Sequence, residues 1–210
     1  MENIVPEQVE GVKTNTESKV EFDDLIAAKD GFLEAKKRLQ NVADWHRLAG
    51  DASANFELVD AYGNSITGIP NIGNHLKIKI TGPKTKTGEG FDWVKIEAIE
   101  NSTENEAEIF AMRVRPATNP ENNSTDTAHF FTDDATSTFM IKRTNKTVTA
   151  AIYGRNEKPN VEADSLIDKA RNAFVAFGAI IGLAKFQWKS LLNGIVDEAK
   201  SLDNYEFVRD

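Results

Sequence analysis

Twelve consecutive residues near the end of the chain, 173–184, carry no charge. They sit inside a longer helical stretch, about 165–199, that goes on to present Phe186, Trp188, Leu191, Leu192, Ile195 and Val196. A helix that is apolar around its whole circumference must be buried on most sides. A membrane span needs about 20 apolar residues, and Lys185 stops this run short of that. The expectation is therefore a core helix gripped by the rest of the chain, with no membrane span. Gly178 and Gly182 would let a strand or a ligand approach its backbone.

The segments that could grip it have a different period. Asp23 or Asp24 offers a carboxylate to the orphan N–H groups of a first helix. From there Leu25, Phe32 and Leu39 hold one apolar stripe, and Gly50 is a natural left-handed stop. One amphipathic helix is predicted. Beyond it the pattern alternates: Ala54, Phe56 and Leu58; then Leu76, Ile78 and Ile80 against Lys77, Lys79 and Thr81. Residues 91–99 and 107–115 continue in this way, His129, Phe130 and Phe131 suggest a short strand, and 137–143 with 147–153 make a hairpin around Asn145. Short connections imply antiparallel pairing. The fold class is α+β: a curved antiparallel sheet of six or seven strands on a long C-terminal helix.

Composition narrows the roles. The chain has 210 residues and a net charge of −8, which suits one soluble domain. Seven acids and two lysines precede Leu25, so residues 1–20 read as a flexible acidic arm, 21–199 as the domain and 200–210 as a tail. A nucleic-acid partner is disfavoured, because phosphate binding needs a clustered positive field. With no cysteine, thiolate metal sites and cysteine nucleophiles are excluded. Met1-Glu2-Asn3 opens without the basic and apolar regions of a signal peptide, so the protein is expected in the cytoplasm.

No motif announces catalysis. The loop 82–90 has Glu89 where a P-loop needs lysine, and a strand follows it instead of a helix. His46, His75 and His129 have no ligand-spaced partners, so neither a metal nor a cofactor is expected. The chain is read as leaning away from an enzyme; His46, Asp92 and His129 are the candidate acids or bases if it is one. A more suggestive set is Trp45, His46, Phe91, Trp93, Arg113 and Arg115. Phe91 and Trp93 share one strand face, and the arginines share a face of the next strand. Pointing inward, they would line a cavity with aromatic walls and a cationic end, fit for an amphipathic anion. The plainer reading buries the aromatics and solvates the arginines; burial of about 2–3 kcal/mol per aromatic side chain suffices to explain them. Near the end of the last strand, Arg155 either reaches a ligand or pairs with Glu157, and the pairing is the plainer reading.

The order strand, helix, antiparallel sheet, long C-terminal helix resembles the helix-grip fold of the START-like (SRPBCC) superfamily, which includes polyketide cyclases, plant pathogenesis-related proteins and lipid-transfer domains. The resemblance spans roughly residues 20–198 and rests on element order. It implies a cavity between sheet and last helix. Residues 44–48, 90–94 and 171–188 also look like segments of an uncharacterised bacterial family. This chain departs from the superfamily in a faint first strand, suggested by Val20 and Phe22, and in one helix where two are usual. Two roles follow. One is a module that binds a lipid or other apolar small molecule, with Phe174, Phe177 and Ile181 among the lining residues. The other is an interaction domain with a filled core, forming a homo-oligomer through the C-terminal helix.

Overall fold

The computed structural model describes residues 4–50, 54–79, 87–104, 107–160 and 167–201; the side chains of 104, 167–177, 180 and 198–201 lie outside the described set. In chain order the elements are β1 (Val12–Glu21), α1 (Leu25–Gln40), α2 (Trp45–Ala49), β2 (Asn55–Val59), β3 (His75–Lys79), β4 (Asp92–Glu104), β5 (Ala107–Pro116), β6 (Thr136–Thr144), β7 (Thr147–Glu157) and α3 (Ile167–Ser201). All pairings are antiparallel, in the order β1-β7-β6-β5-β4-β3-β2. Strands β2 to β7 form a meander, and β1 adds to its far edge. The sheet is curved, and the helices cover one face of it. This is the helix-grip arrangement.

Both departures from that fold disappear in the structure. The arm expected over 1–20 becomes, from Val12 onward, a ten-residue strand. Its inward residues are Thr16, Ser18 and Val20. Two of the three are hydroxylated, so the hydropathy pattern was weak, yet all three are covered. Upstream, Ile4 is buried and its carbonyl accepts from Arg113 Nη1 at 3.2 Å and Thr138 Oγ1 at 3.3 Å. The single predicted helix is likewise two. Asn41 ends α1, a 3-10 turn follows over Val42–Asp44, and α2 starts at Trp45. The Trp45 indole N–H folds back onto the Leu39 carbonyl at 3.0 Å, serving an orphan acceptor of the last turn.

Strand count survives, but its membership changes. Residues 129–131 form a bend with an isolated bridge from Phe131 to Pro159, and β1 takes the place of that predicted strand. In α1, Asp24 is the cap, accepting from Ile26 N and Ala27 N. The buried stripe is Ala28, Phe32, Ala35 and Leu39, while Leu25 stays 52% exposed. Gly31 belongs to this face because a Cβ there would meet the Phe22 ring.

Helix α3 corrects the opening expectation. Its last turns are buried through Leu191, Leu192, Ile195 and Val196, and Gly194 lies so close to the Leu48 carbonyl that no Cβ would fit. Ser18 Oγ donates to Asn193 Oδ1 at 2.5 Å, and Lys189 Nζ donates to Glu17 O at 2.6 Å. Earlier in the helix, Gly178, Ala179, Gly182, Leu183 and Phe186 are exposed. The two glycines have nothing within 4 Å of a would-be Cβ, so neither admits a strand or a described side chain. The described helix is thus anchored at its C-terminal end and only partly covered before it. Among the described residues no helix is long and apolar enough to cross a membrane.

Candidate functional site

Between the covered sheet face and the middle of α3 lies a cavity of about 130 Å³. Its walls follow from strand alternation. Phe56, Leu76, Ile78, Val94, Val114 and Phe139 are the inward residues of five adjacent strands, and Trp188 and Ile181 come from α3. Trp188 meets Phe56 and Phe139 with ring centroids 5.8 and 5.5 Å away. One side is formed by the loop before β6, where His129, Phe130 and Phe131 stack on one another. Phe131 and Ala135 pack there, with Phe130 and Ile181 against them.

The polar part of the lining is Thr14, Thr16, Ser137, His129 and Glu157, with Lys185 and Gln187 on α3. Glu157 owes its place to a backbone irregularity. Along β7, Val148, Ala150 and Ile152 face inward, so strict alternation would send an odd-numbered residue to the opposite face. Between Gly154 and Glu157 the register with β1 slips by one residue, and Asn156 takes φ 56°. A bulge of this kind re-aims the side chain that follows it. The N-terminal segment holds the bulge: Asn156 Oδ1 accepts from Val9 N at 2.8 Å, and Asn156 N donates to Gln8 Oε1 at 3.0 Å. The carboxyl then folds back over Gly154, where a Cβ would fall on Thr14 Oγ1 and Glu157 Oε1.

Glu157 keeps only 6% of its surface exposed. Its Oε2 has no hydrogen-bond partner. Burial raises its pKa to about 7, against the smaller opposing pulls of the Thr14 hydroxyl and the Arg155 charge. Arg155 neither pairs with Glu157 nor reaches the cavity lining. Its Nη1 donates to Thr14 O, Asn15 Oδ1 and Gly154 O. His129 is buried and held near pKa 3 by desolvation, hence neutral. Its Nδ1 accepts from Phe131 N at 2.9 Å, which leaves the ring proton on Nε2.

The sequence-predicted set is scattered by this geometry. Ile181 lines the cavity. Phe174 and Phe177 lie on α3, but their side chains fall outside the described residues. Trp45 is fully buried in the core against Phe56 and Phe139. His46 is exposed, with Nδ1 3.0 Å from the Ala43 carbonyl. Phe91, Trp93, Arg113 and Arg115 sit on the opposite face of the sheet, because they alternate with the cavity residues Val94 and Val114. There Trp93 joins Val59, Ala128 and Phe91 in a second small core, with Lys77 over both rings. Arg113 and Arg115 pair with Glu97 at 2.5 and 2.6 Å. Glu97 is available to both because a second bulge separates Ile96 from Ala98. Asp92 is buried and takes no part in the lining. Sequence reasoning missed Glu157; the signal was the pair Gly154 and Asn156, residue types that mark a bulge inside a strand.

No family model and no curated protein matches the chain. Solved structures do. Major latex-like protein 151 from Panax ginseng shares 9% identity, with 83% of this chain and 99% of that one covered, at a TM-score of 0.35. Norcoclaurine synthase from Thalictrum flavum shares 13%, with 81% and 87% covered, at 0.34. The di-domain ARO/CYC StfQ of steffimycin biosynthesis shares 9%, with 91% of this chain but 52% of that one covered, at 0.47. At these identities and TM-scores the likenesses carry no chemistry over to this chain.

Proposed function

We propose that this protein binds an apolar small molecule in the cavity between the sheet and α3. The observation that carries this reading is the lining: aromatic and aliphatic side chains from five strands and one helix surround unfilled space, with a few polar groups at one part of it. Ligand sites have this make-up, mostly apolar walls with sparse orienting groups. The volume of about 130 Å³ is comparable to the roughly 150 Å³ of a dry engineered cavity that takes up benzene. A molecule of one aromatic ring fits the space, and a longer one would extend past Leu183 and Lys185. Binding here requires no catalytic group.

Titration with ethylbenzene tests it, read by calorimetry and by ¹H–¹³C spectra of labelled protein. Saturable binding with shifts confined to Ile78, Val94, Val114 and Ile181 supports the reading. Shifts spread evenly over the surface, or no uptake at the solubility limit, would end it. Phe139→Trp fills the space from the sheet side and should abolish the uptake while the fold persists.

A further inference from the structure

We propose that this cavity selects ligands that carry a hydrogen-bond acceptor, such as a ketone or ester carbonyl, and that Glu157 is the specificity-determining donor. The inference rests on the ligand-binding reading above and goes beyond it by naming the chemistry of the ligand's polar end.

The geometry points this way in three steps. First, Glu157 is built into the cavity at a structural cost. A bulge with a left-handed asparagine turns it inward, and glycine at position 154 makes room for its carboxyl. A side chain placed to fill a core would not need a carboxyl there. Second, its two oxygens are not equivalent. Oε1 lies beside the Thr14 hydroxyl, whereas Oε2 is buried without a partner. An unpaired buried polar atom is destabilising, a cost that a ligand group can recover. Third, the surroundings favour the acid form as a donor over the carboxylate as an anion. Among the described residues Glu157 has no ion-pair partner, because the Arg155 guanidinium is committed to β1 and to Gly154 O. The neighbouring loop adds His129, whose Nδ1 is occupied and whose Nε2 carries the proton. A protonated Glu157 in an apolar cavity complements an acceptor.

Among the described residues, the charged and titratable groups around Glu157 are few. Arg155 lies beside it on β7, and Lys158 follows it, paired with Glu10 of the N-terminal segment and Asp134 of the loop before β6. His129 comes from that loop, and Lys185 from α3. Thr14 and Thr16 of β1 and Ser137 of β6 are uncharged. Cations at Arg155 and Lys185 work against an ammonium ligand, which separates an acceptor from a basic amine of the same size.

Three matched probes test the proposal: acetophenone, ethylbenzene and 1-phenylethylamine. Each is titrated by calorimetry at pH 5 and pH 9 into the full chain, and into Glu157→Gln. A carbonyl accepting one hydrogen bond should bind about tenfold tighter than the hydrocarbon at pH 5. That advantage should vanish at pH 9 for the unaltered protein. Glu157→Gln keeps an N–H donor without a titrating proton, so its preference for the ketone should persist at both values. Glu157→Leu should bind ketone and hydrocarbon alike. By linkage, acetophenone should also raise the pKa of Glu157 read from its ¹³Cδ shift. Equal affinity for acetophenone and ethylbenzene overturns the inference and leaves the cavity reading standing. Preference for the amine, with a lowered Glu157 pKa and loss of binding in Glu157→Gln, overturns it in favour of a carboxylate site. Failure of all three probes overturns both.

Discussion

The two faces of the sheet hold tryptophans that are equally buried for opposite reasons. On the helix-covered face, Trp45 packs against Phe56 and Phe139 and closes the first helix through Leu39 O. On the other face, Trp93 is as fully buried, packed with Val59, Ala128 and Phe91 and with the Lys77 side chain over its ring. One face excludes water by stacking helices on strands and keeps a void within. The other does so with loops, ion pairs and the N-terminal segment, and stores its polar groups in salt links such as Glu97 with Arg113 and Arg115. Burial alone therefore does not separate the two faces. What separates them is the unfilled space beside the buried side chains of the covered face.

The largest expected effect contrasts the faces directly. Phe139→Ala and Trp93→Ala should each cost about 3–5 kcal/mol in urea denaturation. Only Phe139→Ala should change uptake of ethylbenzene in the folded fraction, by enlarging the cavity; a change of similar size in Trp93→Ala would erase the distinction.

Next in size is the pH response of the covered face. The unfolded Glu157 ionises near the ordinary glutamate value of 4.5, whereas the folded one holds its proton to about 7. Between those values the native state binds more protons, so this group makes stability fall as pH rises, levelling above 7 at a cost of about 3 kcal/mol. Glu157→Gln should remove that decline in denaturation curves measured from pH 4 to 8. His129 works in the other direction. Its folded pKa is near 3 and its unfolded value near 6.5, so its contribution is intact above 6.5 and is lost on acidification toward 3. His129→Phe should flatten the acid limb. If both variants leave the pH profile unchanged, the two groups are not buried as described.

A smaller effect is expected at the joint between the faces. Asn156→Ala removes the acceptor of Val9 N and puts a Cβ without a polar group at φ 56°. A loss of about 1–2 kcal/mol should follow, together with a weaker ketone preference as Glu157 loses its fixed aim. Retained preference would show that the bulge does not need its N-terminal clasp. Smallest of all, Arg115→Met on the far face breaks a half-exposed ion pair. It should change stability by less than about 1 kcal/mol and leave all probe binding untouched.

How much of this was legible in the chain varies by element. Strands β3 to β7 and the hairpin at Asn145 follow from alternation, because one face of each strand is apolar. Strand β1 was legible only faintly, at Val20 and Phe22, since Thr16 and Ser18 fill its other inward positions. The split of the first helix depends on Trp45 reaching Leu39 O, a contact six residues apart that no periodicity encodes. Grouping Phe91 with Trp93, and Arg113 with Arg115, was sound as a statement about shared faces. Assigning them to the cavity was not, because alternation separates two faces without saying which one the helices cover. Glu157 was hidden for a related reason: one inserted residue reverses the alternation on which the reading relied.

Local physics, acting through residue spacing, determined the α+β class, the antiparallel hairpins and the presence of a terminal helix too apolar to stand in water alone. Only the tertiary structure decided which side of the sheet that helix covers, how much of it stays exposed and where the unfilled space lies. Side chains settle those choices by competing for one volume across distant segments. The place of Glu157 is the sharpest instance, since it is held by a bulge and by contacts with residues almost 150 positions earlier in the chain.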